Sequence, residues 1–336
     1  MYATTVLKDV PYSYVFMLYC ILVWDILEAF RKKDRDIYKY LIALGAAGLL
    51  LMLLRKNGIY VVVPTGLVLL AAGRKIFKKN RLLLAVVIGS LLIPVGMYKG
   101  YEDWFLPRLG IMPGSIAEMF SIPFQQTARY ARDYGDEVTE EEKEVIDKVL
   151  DYDYLAELYN PDLSDPIKDM YRYPERSELI EYFKVWFRQF LRHPGVYIQA
   201  TMNNVYALFY PGVDNTYIFF DLLEEYGYNN FEQPQALKGY REAMESFTNA
   251  ALRFPGLNLL NNMALWVWLF FIEFFYCWKA KRWTAVLTGI PVWISVLVCI
   301  ASPVIIGHPR YVFPIMLAAI VLFVPCIYVT EEKADE

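Results

Sequence analysis

The stretch RKIFKKNRLLLAVVIGSLLIPVGMYKGYEDW, residues 74–104, decides the architecture. It opens on a basic cluster of Arg74, Lys75, Lys78, Lys79 and Arg81. Residues Leu82 to Tyr98 then carry no charge, and a polar, aromatic segment follows. A helix needs about 20 apolar residues to cross the hydrocarbon core of a bilayer. Lysine and arginine concentrate in cytoplasmic loops. The stretch therefore reads as a span that leaves the cytoplasm at its basic end and reaches the far face near Tyr98.

Working outward, similar runs appear on both sides. Pro11 to Phe30, Ile37 to Leu54 and Ile59 to Ala72 precede it. Leu259 to Trp278, Trp283 to Ile306 and Tyr311 to Tyr328 come later. The third run is short and contains Pro64, so it reads either as a full span or as half of a re-entrant pair with the second. Every second loop is basic: Arg31, Lys32, Lys33 and Arg35; the cluster at 74–81; Lys279, Lys281 and Arg282. The expected fold is an all-α membrane protein with about seven transmembrane helices. A mostly helical extracytoplasmic domain is inserted between the fourth and fifth. The expected limits are 1–98, 99–257 and 258–336, the last ending in a short acidic cytoplasmic tail. This describes a multi-pass plasma membrane protein with its large domain outside.

Composition agrees. The chain is 57% hydrophobic, with a mean hydropathy of +0.27, against about 45–50% apolar residues in soluble domains. The net charge of -4 says little, because the charges gather in short basic loops and one polar stretch; no broad basic field is present to hold nucleic acid. Cys20, Cys277, Cys299 and Cys326 all sit in apolar runs, and the outer segment has no cysteine. Together with the absence of an N-x-[ST] sequon, this suits a bacterial protein. Met1 to Val10 would begin outside and lack the positive n-region of a secretory signal. An outward N-terminus leads us to expect further upstream spans. They would be lost from a fragment, encoded as a separate polypeptide by a split gene, or absent from a shortened homologue.

The polar segment reads as helical. Ser121 to Tyr134 has helical spacing, and Thr139 to Leu150 opens on a Thr-x-x-Glu cap at Thr139 and Glu142. Asn160-Pro161 and Asp165-Pro166 mark turns. Ser177 to Arg192 is strongly amphipathic, with Leu179, Phe183, Trp186 and Phe190 on one face. That face either covers the domain core or lies in the lipid interface. Tyr98, Tyr101, Trp104 and Phe105 suit an interfacial aromatic belt.

Several chemistries are excluded. The chain has no phosphate loop, no Gly-x-Gly-x-x-Gly fingerprint, no Cys-x-x-Cys and no His-Glu-x-x-His. His193 and His308 are its only histidines, too few for a multi-histidine zinc site. Asp151-Tyr152-Asp153 resembles the Asp-x-Asp of soluble nucleotide-sugar transferases, but it lies outside an α/β fold and reads as a solvated acidic segment. No metal site or cofactor is identified, and participation of a divalent metal stays open.

What remains is a pattern of place. Lys8, Asp9, Arg55, Lys56, Lys99, Glu102, Asp103, Arg108, His308 and Arg310 all fall near the outer membrane surface. Arg55, Lys56 and Arg310 run against the charge bias of that side. One reading gives them a lipid phosphate to hold, since guanidinium forks match phosphate oxygens. The other has them snorkel to headgroups. Asp9, Glu102 and Asp103 are the carboxylates placed to act as a general base. Glu273, inside the fifth run, is costly in lipid and should face the bundle or a cavity.

Three motifs occur together: Leu54-Arg55-Lys56-Asn57-Gly58, Ser121-Ile122-Pro123-Phe124-Gln125-Gln126 and His308-Pro309-Arg310-Tyr311. With Leu7-Lys8-Asp9, they make the chain resemble a bacterial family of uncharacterised multi-spanning proteins related to the GT-C glycosyltransferases. The likeness corresponds to the C-terminal part of a full-length member. It implies a polyprenyl-phosphate-linked sugar as donor and membrane lipid as surroundings. It supports the lipid-phosphate role for Arg55 and Arg310 and an acceptor-facing outer domain. Lys56 and His308 join them as candidate lipid-phosphate contacts, and Gln125, Gln126 and Arg129 are candidate acceptor or domain contacts. The usual catalytic carboxylate of such enzymes lies in a first outer loop, and the resemblance leads us to expect that this chain begins after it, so none is matched here. A non-catalytic protein assisting envelope polysaccharide assembly or export is the alternative.

Overall fold

The computed structural model describes residues 8–111, 116–213, 234–302, 306 and 308–327. The first seven residues and the acidic tail lie outside them. Every regular element among the described residues is helical.

Four helices open the chain: α1 (Asp9–Lys32), α2 (Ile37–Leu54), α3 (Gly58–Phe77) and α4 (Arg81–Gly100). α3 runs 20 residues through Pro64. Proline removes a helix hydrogen bond, and the neighbouring Thr65 hydroxyl donates to the Val61 carbonyl at 2.7 Å. Of the two readings of the third run, this length fits a full crossing. α4 does not stop at Tyr98. It continues through a π-helical turn, Tyr101–Phe105, into Leu106–Arg108. Beyond the apolar run, Glu102 is paired: it lies 3.3 Å from Lys56 and 3.1 Å from Lys99. Glu102 and Asp103 therefore belong to the end of this helix rather than to a following loop.

Five helices are long and apolar enough to cross a membrane: Asp9–Lys32, Ile37–Leu54, Gly58–Phe77, Arg81–Arg108 and Trp283–Ala301. These mark a membrane-embedded protein. The last is built from α14 (Trp283–Thr288) and α15 (Ile290–Ala301), with Pro291 in the first turn of α15. Two shorter apolar helices, α13 (Met263–Lys279) and α16 (Phe313–Ile327), share one core with the first four. Phe16, Leu41, Leu51, Phe270 and Ile315 are fully buried there.

The basic loops gather at one end of this bundle. Phe30 meets Phe77 edge-on at 5.7 Å, and Asn80 donates to the Tyr38 hydroxyl at 3.4 Å. These contacts join the α1–α2 loop to the α3–α4 loop. Trp24 packs with Cys277, Ala285 and Val286, which flank the α13–α14 loop.

The polar segment folds as α5 (Ser121–Tyr134), α6 (Glu140–Asp147), α7 (Tyr152–Leu158), α8 (Asp165–Lys168), α9 (Arg176–Arg192) and α10 (Pro194–Val205). It has cores of its own, around Phe124, Ile146, Leu155 and Tyr182 and around Tyr130 and Tyr197. Thr139 accepts from the Glu142 amide, and Glu175 with Glu178 forms a reciprocal capping box. On α9, Leu179, Phe183, Trp186 and Phe190 pack against these cores. That face of the amphipathic helix covers protein. Asp151 is paired with Arg172 at 2.7 Å. Beyond α10, Val205, Ala207 and Leu208 rejoin the bundle core. The chain resumes with α11 (Lys238–Arg253) and α12 (Pro255–Leu260) before α13.

Candidate functional site

The site is built from the turn between α2 and α3. α2 ends where Arg55 becomes extended, at φ -144 and ψ 129. Three residues later Gly58 starts α3 so close to α2 that a Cβ there would lie 2.6 Å from the Leu51 carbonyl. The tight turn holds Arg55 against the first turn of α1. Its Nη1 lies 3.1 Å from Asp9 Oδ1, an approach by charge, since that oxygen makes no aligned hydrogen bond. The side chains are 19% and 6% exposed. An acidic residue at a helix N-terminus is also favoured by the helix dipole.

Aromatic rings hold the guanidinium. Tyr12 lies 5.6 Å and Tyr311 lies 5.7 Å from its central carbon. Arg310 sits over the same Tyr311 ring at 4.7 Å and donates to the Tyr311 hydroxyl at 2.7 Å. Arg55 and Arg310, 255 residues apart in sequence, thus share one tyrosine. Lys56 instead turns to Glu102. His308 lies beside them with Nδ1 unpartnered, as is Arg310 Nε. Burial, with the Arg310 charge, holds the His308 imidazole below the usual histidine range.

Arg55 and Lys56 open onto a cavity of about 740 Å³. Lys8, Tyr12, Asn57 and Tyr60 complete this side. α15 supplies an apolar wall of Ile294, Leu297 and Val298. The polar segment closes the cavity with Glu118, the 162–165 stretch, Lys168 and Asn204. Gln125 donates to the Leu163 carbonyl at 2.8 Å and Asn204 to the Pro161 carbonyl at 2.9 Å. These two bonds pin the 160–165 turn over the cavity. Lys168 bridges Glu118 at 2.8 Å and Asp165 at 2.6 Å. Burial alone would lower its pKa, and these hydrogen bonds outweigh it, so the net shift is upward.

The expected residues are therefore divided. Asp9, Arg55 and Arg310 come together, with His308 beside them. Lys56 and Glu102 form a second pair at the rim. Asp103 joins neither. Gln125 positions a cavity-lining turn, whereas Gln126 is turned inward. It accepts from Trp186 Nε1 at 3.0 Å and donates to Thr201 at 2.9 Å. Arg129 pairs with Asp133 and donates to Gln199 at 2.6 Å. Those two residues line a separate cleft beside Tyr134 and His193. Sequence reasoning passed over Tyr12, Tyr60, Lys168 and Asn204. Only Tyr12 carried a signal, three residues after Asp9 on the same helix face. Among the described residues, no three His, Cys, Asp or Glu side chains cluster to hold a metal ion.

This geometry can be set beside known proteins. One family model, DUF6020, a family of unknown function, matches residues 1–336. The chain belongs to that family. No curated protein and no solved structure matches it. Membership carries no link to the GT-C glycosyltransferases and no activity.

Proposed function

We propose that this chain is a GT-C-like glycosyltransferase, or the C-terminal part of one, that takes a polyprenyl-phosphate-linked sugar at the outer membrane face. In this reading seven helices cross the bilayer, α13 and α16 among them. The three basic loops are cytoplasmic, and the polar segment is an extracytoplasmic domain at the opposite end. Two things support the topology: the basic loops gather at one end, and the site lies at the other.

The observation that carries the reading is the cavity between bundle and polar segment. Its cations, Arg55 foremost, stand at the mouth of an apolar wall on α15. That order of surfaces suits a phosphate on an isoprenoid chain, because the charged head and the apolar tail each meet a matching surface. Asp9, buried against Arg55, is the candidate general base for an acceptor hydroxyl. A phosphate at Arg55 would share the guanidinium with Asp9. A charge-assisted hydrogen bond is worth about 1.5–3 kcal/mol, or roughly 10- to 150-fold in affinity. Arg55→Lys and Arg310→Ala are expected to weaken polyprenyl-phosphate binding in nanodiscs by at least about tenfold. Unchanged affinity in both would remove the proposed phosphate site.

One observation favours the alternative, a non-catalytic protein that assists envelope polysaccharide assembly or export. Arg55, Lys56 and Lys168 each already have a carboxylate partner. A groove of balanced charge can hold a lipid without turning it over. A transfer assay with a polyprenyl-phosphate sugar separates the two: transfer that is lost in Asp9→Asn supports the enzyme, and binding without transfer supports the assistant.

A further inference from the structure

Among the described residues, α9 and α11 are strongly amphipathic, and the fold treats them differently. The α9 stripe of Leu179, Phe183, Trp186 and Phe190 is spent on the core of the polar segment, although Ile180, Phe187 and Leu191 stay exposed beside it. α11 leaves its apolar face open. Tyr240, Ala243, Phe247, Ala250 and Phe254 follow at intervals of three and four residues, so they form one stripe. All five are exposed; Tyr240, Phe247 and Phe254 are 59%, 67% and 63% exposed. The far side carries Lys238, Arg241, Glu242, Glu245 and Arg253. Large aromatic groups left in water at this spacing are unfavourable, at about 25 cal/mol per Å² of apolar surface.

Position in the chain says what covers the stripe. Phe254 runs directly into α12, which exposes Leu257, Leu259 and Leu260, and then into α13. α13 is a 17-residue apolar helix packed in the bundle core. Trp266 and Trp268 stand in its first turns and donate to the carbonyls of Leu260 and Phe209 at 2.7 and 2.8 Å. Trp268, with its N–H engaged and 47% of its surface exposed, has the character of a residue at a membrane–water boundary. α11 therefore reaches the level where hydrocarbon begins, with exposed apolar side chains recurring from Tyr240 through Leu260 up to α13. We infer that α11 lies in the plane of the bilayer interface, with Tyr240, Phe247 and Phe254 among the lipids and Glu242 and Glu245 facing water. The three basic and two acidic residues on its outer side nearly cancel, so burial of the aromatic stripe, rather than attraction to anionic headgroups, holds the helix there. This inference needs α13 in the membrane and does not depend on the phosphate site.

Spin labels placed singly in the full-length chain test it, in a background with the four cysteines changed to alanine. The chain is reconstituted in phosphatidylcholine liposomes. Oxygen, which concentrates in lipid, and a water-soluble nickel chelate report the surroundings of each label. Labels at Ala243→Cys, Phe247→Cys and Ala250→Cys are expected to favour oxygen over nickel. Labels at Glu242→Cys and Glu245→Cys are expected to show the reverse order. The two alanine positions keep the test open where losing Phe247 disturbs the helix. Equal nickel access at positions 247 and 245 would place the stripe in water. Access by neither reagent at 243, 247 and 250 would mean that protein, such as a second copy, covers it. Either result overturns the inference.

Discussion

Asp9 and Arg55 are the residues on which the site turns. Each alone would be a nearly buried charge, and removing one partner of such a pair strands the other. The cost is about 3–5 kcal/mol where burial is complete and less at this partly exposed arginine. Asp9→Leu and Arg55→Met should each lower the thermal midpoint in detergent. The double variant should recover much of the loss, because no uncompensated charge remains. If the single losses simply add in the double variant, the pair is not coupled as the geometry implies. His308 offers a second check. Its depressed pKa follows from burial and from Arg310. The unfolded chain, with an ordinary pKa of about 6.5, binds the proton more readily than the folded one. Stability should therefore rise with pH across the window between the lowered value and the ordinary one, and fall as pH drops through it. Arg310→Ala removes one of the two causes, so the His308 resonance should titrate at higher pH than in the parent. An unmoved titration would separate the two residues.

At the scale of the element, α5 shows what sequence pattern reveals and what it hides. Its bounds were legible in the spacing of Ser121 to Tyr134. The fate of its polar residues was not. Gln125 and Gln126 are adjacent in sequence yet serve different partners, because successive helical residues point about 100° apart. Gln125 reaches the turn over the cavity, and Gln126 ties α5 to α9 and α10. Gln126→Leu leaves Trp186 Nε1 without its acceptor, whereas the Thr201 hydroxyl loses the Gln126 donor but keeps its bond to the Tyr197 carbonyl. Losing such bonds in a buried setting costs about 1–3 kcal/mol each. Limited proteolysis should cut the polar segment faster in this variant, with the bundle helices still protected. An unchanged cleavage rate would deny Gln126 its bridging role. The α4 helix also runs past the span limit expected near Tyr98. Glu102 and Asp103 lie beyond the apolar run, and Glu102 is paired both with Lys99 one turn earlier and with Lys56, which arrives from another turn.

Over the whole molecule, the apolar runs and the alternating basic loops were legible because each is local, a matter of about 20 consecutive residues. The cavity was half legible. Its membrane side comes from motifs that stand out in the sequence, such as Leu54 to Gly58 and His308 to Tyr311. Its other side comes from Glu118, Asp162, Lys168 and Asn204, which carry no shared motif and meet only through the packing of short helices and turns. The functional claim rests on that meeting. It is tested most directly with a polyprenyl phosphate carrying a photoreactive group on its isoprenoid chain, cross-linked to the purified full-length chain. The expected labelling is saturable, is displaced by unmodified polyprenyl phosphate, and falls on α3 near Tyr60 and on α15 near Leu297. Labelling spread over all exposed bundle helices without saturation, or confined to helices away from the cavity, would contradict the claim.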